Sequence, residues 1–157
     1  MRVGTGYDLH RLITGRILFL GGVEIPSPVG AEAHSDGDTL IHAIIDALLG
    51  AAGKGDIGTH FPPGDPEYRD ISSRILLRRT AKMITEAGFR LVNLDSSVLL
   101  EKPRLQPYIE GIRACLAEDL NLDPGRISVK AKTGESMGDV GEGRAVEAHA
   151  VVLLDEI

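Results

Sequence analysis

Asp8 and His10 stand two residues apart in Gly6-Tyr7-Asp8-Leu9-His10, and His42 follows on the first strongly periodic segment. On an extended chain, residues at i and i+2 share a face, so the carboxylate and imidazole of this triplet converge. One oxygen and two nitrogen donors suit a zinc site with three protein ligands and an open fourth position. An open position is what a Lewis-acid catalyst needs. Asp38 and Asp46 lie four residues either side of His42, on its helical face, and Asp46 is placed to orient a ligand imidazole. The same Asp-x-His spacing also arises by chance, and a single helical His is often a surface or satisfied core residue. Spacing alone leaves both readings open.

Three further groups could handle an anion. Ala33-His34-Ser35-Asp36-Gly37-Asp38 precedes the periodic segment. Its Ser and Asp residues are good helix caps, and His34 with Ser35 could donate hydrogen bonds to a phosphate at the helix start. Lys130-Ala131-Lys132-Thr133-Gly134-Glu135 sets two cations, a hydroxyl and a carboxylate in one turn, a mixture able to hold phosphate and a divalent cation together. Lys102-Pro103-Arg104 is a second cationic turn, and Asp56-Ile57-Gly58 with Phe61-Pro62 lies in a loop rich in Gly and Pro. Capping and solvent-exposed strand ends remain the plainer readings of each.

The elements that must position these groups follow from periodicity. Arg2–Tyr7 and Ile17–Ile25 read as strands, the second broken by Gly21-Gly22. Asp38 to Ala52 is helical, with Ile41, Ile44, Ile45, Leu48 and Leu49 on one stripe and Gly53 and Gly55 as its stop. Residues 56–66 form a mobile loop, and Ser72–Ala87 a second helix with Ile75, Leu76, Arg79, Met83 and Ile84 in phase. Phe89–Leu100 is a strand, Leu105–Leu120 a third helix, and Ile127–Ala131 and Val146–Leu154 are the last strands. The order β-β-α-α-β-α-β-β predicts an α/β fold, specifically an α+β sandwich with helices on one face of a mixed sheet. The last strand alternates Val146, Ala148, Ala150 and Val152 against Glu147, His149 and Val151, which suits a subunit interface on its second face.

The 157 residues are expected to form one domain, 1–157, around one core. An apolar fraction of 43% and a charged fraction of 25% are ordinary for a folded soluble chain. A net charge of −6 argues against a nucleic-acid surface, and no apolar run is long enough for a membrane span. Cys115 is the only cysteine and the N-terminal residues lack a secretory pattern, so a cytoplasmic location is expected. An acidic chain can still hold a phosphorylated substrate if cations, N–H groups or metal ions converge locally.

Gly6-Tyr7-Asp8-Leu9-His10, Ala33–Asp38, Asp46–Ala52, Gly55-Asp56-Ile57-Gly58 and Val129-Lys130-Ala131-Lys132-Thr133 together resemble the motifs of the 2-C-methyl-D-erythritol 2,4-cyclodiphosphate synthase family, in order and spacing across nearly the whole chain. The resemblance implies an enzyme of the non-mevalonate isoprenoid pathway that closes a cyclic diphosphate and releases CMP. It implies that Asp8, His10 and His42 bind zinc, one ion per subunit, and that Glu135 helps hold magnesium or manganese with the substrate. His34 and Thr133 would stabilise the transition state, and Ser35 would contact the substrate phosphates. Asp56 and Gly58 would hold the methylerythritol hydroxyls under a loop containing Phe61 and Asp65. Leu100, Pro103, Arg104, Leu105 and Lys132 would form a cytidine pocket. The family also implies a homotrimer with active sites between subunits, and neither nucleic acid nor membrane as partner. Pro63-Gly64-Asp65 and Asp139–Arg144 depart from its common pattern. Rival readings are a zinc phosphohydrolase and a non-catalytic nucleotide- or isoprenoid-diphosphate-binding protein. His60 and His149 read as ordinary polar residues.

Overall fold

The computed structural model describes residues 1–157. Its main sheet has five strands in the order β4-β1-β7-β5-β6. These are β1 (Arg2–Thr14), β4 (Val29–Ala31), β5 (Phe89–Leu99), β6 (Ile127–Lys132) and β7 (Ala145–Glu156). β7 runs antiparallel to both β1 and β5, while β5 and β6 are parallel, so the sheet is mixed. A separate hairpin pairs β2 (Leu18–Leu20) with β3 (Val23–Ile25). The main helices are α1 (Thr39–Ala51), α3 (Ser73–Glu86) and α4 (Ile109–Leu120), with short turns of helix at α2 (Ile57–His60) and α5 (Gly138–Gly141). No helix is long and apolar enough to cross a membrane.

α1 is the centre of the fold. Of its residues only Asp46 and Gly50 escape burial, so it is enveloped rather than striped. A helix apolar on most of its circumference belongs inside a core. One of its contact faces lies against β1, where Gly4 and Gly6 alternate onto the helix side. A Cβ on Gly6 would fall 1.8 Å from the Ala43 carbonyl oxygen, and one on Gly4 2.0 Å from that of Ala47. Glycine here lets the helix backbone settle onto the strand. The same alternation turns Asp8 and His10 toward the helix layer. On β7, Val146, Ala148, Ala150, Val152 and Leu154 complete that inner face. The other face of the sheet carries no helix, and Val3, Tyr7, Leu9 and Val151 are exposed there.

Several boundaries differ from the sequence reading. β1 runs on through the chemistry-bearing triplet to Thr14, seven residues past the predicted end, because its pairing with β7 and then β4 is uninterrupted. The break expected at Gly21-Gly22 within Ile17–Ile25 is the turn of the β2–β3 hairpin, while β4 was not anticipated. On α3 the buried positions are Ser73, Leu76, Leu77, Thr80 and Ile84, rather than a stripe through Ile75 and Arg79. The expected start of the third helix is a 3₁₀ turn at Gln106–Tyr108, with α4 proper beginning at Ile109.

Candidate active site

β1 and α1 bring Asp8, His10 and His42 together, with one ligand atom from each within 4.8 Å of the others. Asp8 Oδ2 lies 2.9 Å from His10 Nδ1 and 3.2 Å from His42 Nδ1. Burial alone would raise the Asp8 carboxyl, but hydrogen bonds from both imidazoles and their charges hold it down to about 2. It is therefore an anion at neutral pH. Burial pushes the other way on His42, yet Asp8, Asp38 and Asp36 around it raise its pKa. One anionic oxygen and two imidazole nitrogens on the wall of an open cavity form a donor set that fits a zinc ion, and the count leaves a coordination position free.

The cavity holds about 230 Å³. His34, Ser35, Gly58 and Phe61 line it together with the triad, as do Pro63 and Tyr68. Asp38 caps α1 by accepting from Ile41 N, and it also accepts from Gly21 N and Gly22 N, tying the hairpin to the helix start. Complete burial, with the Asp36 charge beside it, raises its pKa to about 6 despite those three donors. His34 Nε2 lies 2.9 Å from the Asp65 carbonyl oxygen, which joins the site to the 62–69 loop. Asp56 caps α2 through Thr59. Asp46 does not orient an imidazole, contrary to the sequence expectation: its Oδ1 accepts from Ile57 N at 2.7 Å, so it pins the start of α2 instead.

The remaining predicted residues lie elsewhere. Reading across the sheet, Asp8 pairs with Ala148, Ala148 with Val98, and Val98 with Ala131. Three strand spacings put the end of β6 about 14 Å from Asp8. Lys132, Thr133 and Glu135 are exposed there, and Glu135 does not approach the triad. Thr133 Oγ1 donates to Glu135 Oε1 and accepts from Glu135 N, both at 3.2 Å, while Gly134 N donates to Glu101 Oε2. Glu135 and Ser136 both hold left-handed backbone, with φ of 52° and 60°. Side chains other than glycine rarely adopt it without a surrounding constraint. Pro103 lines a different cavity of about 480 Å³ with Glu101, Lys102 and Gly141–Gly143. Arg104 is exposed, whereas Leu100 and Leu105 are core residues, each 3% exposed.

Sequence reasoning missed Ser73 and Asp36 as neighbours of the triad. Ser73 Oγ lies 2.9 Å from His42 Nε2, and Ser35 Oγ lies 3.3 Å from the same nitrogen. No local spacing signals this contact, because the α1–α3 packing creates it. His60 bonds the Lys54 carbonyl, and His149 packs on Tyr7 on the helix-free face, 4.9 Å between ring centroids.

The model of the YgbB family matches residues 1–155. The chain belongs to the YgbB family. A relative from Gloeobacter violaceus named 2-C-methyl-D-erythritol 2,4-cyclodiphosphate synthase is 56% identical over 156 residues, 99% of this chain and 96% of that protein. A solved 2C-methyl-D-erythritol-2,4-cyclodiphosphate synthase in a CDP-bound form superposes at a TM-score of 0.91 with 43% identity, covering 98% of this chain and all of that one. The bifunctional IspDF of Campylobacter jejuni reaches a TM-score of 0.96 at 38% identity. This YgbB-family chain covers 42% of that longer protein, and 99% of itself is matched.

Proposed function

We propose that this chain is a 2-C-methyl-D-erythritol 2,4-cyclodiphosphate synthase, a lyase of the non-mevalonate isoprenoid route. It converts 4-diphosphocytidyl-2-C-methyl-D-erythritol 2-phosphate to the 2,4-cyclodiphosphate and CMP. The observation that carries this reading is the Asp8–His10–His42 triad on the wall of a cavity that also holds His34 and Ser35. In the reaction the 2-phosphate oxygen bonds to the β-phosphorus while the bond from that phosphorus to the bridging oxygen breaks. The bridging oxygen leaves with the electron pair as part of CMP. The nucleophile is already an anion, so the protein's task is alignment and charge neutralisation rather than strong base catalysis.

Asp8, His10 and His42 would hold zinc, which supplies Lewis-acid polarisation of a phosphate oxygen. His34 and Ser35 sit on the same wall and would donate to phosphate oxygens. Asp56 and Gly58 would orient the methylerythritol hydroxyls, with Phe61 and Asp65 closing that side. Thr133 and Lys132 would stabilise charge developing between the α- and β-phosphates, and Glu135 would hold magnesium or manganese. The backbone of Leu100 and Leu105, with Pro103 and Arg104, would receive the cytidine.

The end of β6, which leads into Lys132, Thr133 and Glu135, sits about 14 Å from Asp8 in one chain, so a second subunit would supply these groups to the triad's cavity. The family resemblance implies a homotrimer, and the sheet face without helices, which exposes Val3 (66%), Tyr7 (50%) and Leu9 (49%), offers a surface for such contacts. Apolar exposure gathered on one face marks an interaction surface. Residues 1–157 would act as one catalytic domain, in the cytoplasm. Purified protein incubated with substrate, zinc and magnesium should yield two coupled phosphorus resonances of a cyclic diphosphate together with CMP, and chelator should abolish both. CMP with linear phosphates alone would overturn the cyclase in favour of a hydrolase.

A further inference from the structure

We infer that Ser73 and Asp36 are positioning residues that keep a proton on Nε2 of the His42 imidazole, so that Nδ1, beside Asp8, is the nitrogen left to take zinc. The inference deepens the zinc reading above and rests on it. Asp36 accepts three hydrogen bonds: Oδ1 from Ser73 Oγ at 2.5 Å and from Asp38 N at 3.1 Å, and Oδ2 from Ser73 N at 2.9 Å. A carboxylate accepts and does not donate, and a serine hydroxyl has one hydrogen. That hydrogen points to Asp36, so the Ser73 oxygen meets His42 Nε2, 2.9 Å away, with its lone pairs.

The nitrogen must therefore carry a hydrogen. With Nε2 unprotonated, two lone pairs would face each other at hydrogen-bond distance where Ser73 is 0% and His42 9% exposed. Water cannot relieve that conflict in so closed a place. Ser35 Oγ lies 3.3 Å from the same nitrogen, and with its hydrogen given to a substrate phosphate, as proposed above, it too would meet Nε2 with a lone pair. With Nε2–H fixed in this way, Nδ1, which lies 3.2 Å from Asp8 Oδ2, is the nitrogen at which zinc would replace the proton now shared with Asp8. His10 is held differently. Its Nδ1 lies 3.2 Å from Thr39 Oγ1, which donates to the Gly37 carbonyl at 3.3 Å, a backbone acceptor in place of a carboxylate.

The test uses full-length ¹⁵N-labelled protein with one equivalent of zinc, read by long-range ¹H–¹⁵N correlation, the His42 signals being those absent from His42→Ala. The expected result is a protonated Nε2 whose hydrogen exchanges slowly, and an Nδ1 without one. Ser73→Ala should lower zinc affinity about 10- to 100-fold in chelator competition, the range for lost outer partners of metal ligands, and speed exchange of the Nε2 hydrogen. Ser73→Thr, which keeps the hydroxyl, should restore both. Asp36→Asn is nearly isosteric but its amide can donate to Ser73, freeing the hydroxyl hydrogen to turn toward Nε2. It should weaken zinc binding similarly, and the double variant should be no worse than Ser73→Ala. If Ser73→Ala does not fold, Asp36→Asn carries the test. An unprotonated Nε2 in the zinc-loaded protein, or unchanged zinc affinity and exchange in both variants, would overturn the inference. Failure of the unaltered protein to bind zinc would instead overturn the metal reading, and an unprotonated Nε2 in the metal-free protein would still overturn the tautomer.

Discussion

The two ends of the proposed site are built in opposite ways. The triad end is made from side chains that the core encloses: His42 and Ser73 are buried, Asp38 is completely so, and each has partners on other elements. The Thr133–Glu135 end bonds mainly to itself, in the open, on left-handed backbone. A metal site needs several donors held to within a few tenths of an ångström, which rigid packed elements supply. A segment that meets substrate and a neighbouring subunit can be ordered when they arrive. The difference predicts where a substitution registers as lost stability and where only as lost rate.

The largest effect is expected from His42→Ala. Removing one of three donors should abolish stoichiometric zinc retention and lower turnover by more than the roughly 100-fold that a lost outer partner can cost. The protein should stay folded, since Asp8 and His10 reach solvent through the cavity. Metal analysis after dialysis and the phosphorus assay check this together. Turnover retained by a metal-free His42→Ala sample would end the zinc role and make the triad a buried polar cluster.

Gly6→Ala should come next, and it acts through the fold. The new methyl group would collide with the Ala43 carbonyl, which belongs to the helix backbone and cannot rotate away. Forcing α1 off β1 should cost about 3 kcal/mol, the upper part of the range for overpacking, near two orders of magnitude in the folding equilibrium. It should also separate Asp8 from His42, so that zinc affinity falls along with the melting temperature. A variant of unchanged stability would mean that the helix is not seated as closely as the structure places it.

The same contrast explains what the sequence could disclose. Asp8 and His10 were legible as a pair because strand alternation fixes their faces, and α1 because its Ile and Leu residues recur at helical spacing. Their meeting with His42 was proposed from residue types, and the Gly4/Gly6 contact that brings it about is a fact of packing. Asp46 was misread because helical periodicity gives a direction but not a partner, and Ile57 N lies in a loop that periodicity does not describe. Ser73 escaped notice for the same reason: it looks like any serine at a helix start. The extension of β1 and the short β4 depend on pairing with distant strands, which local propensity does not encode. At the exposed end, residue types alone suggested phosphate chemistry, while which subunit they serve depends on assembly.

Thr133→Ala should give the smallest effect and the sharpest separation between the two ends. Thr133 is exposed and its hydroxyl bonds only to Glu135, so its loss should move stability by no more than about 0.5 kcal/mol. For a chain of this size that is a melting shift of about 2 °C or less. If the hydroxyl donates to the transition state across a subunit boundary, one neutral hydrogen bond of about 1 to 1.5 kcal/mol corresponds to roughly tenfold in turnover. CDP affinity, measured by calorimetry on the same sample, should fall by less than turnover, because ground-state binding uses the cytidine contacts as well. Equal losses in turnover and CDP affinity would make Thr133 a binding residue only. A melting temperature lowered as far as in Gly6→Ala would show that the Thr133–Glu135 turn is part of the scaffold, and the contrast between the two ends would fail.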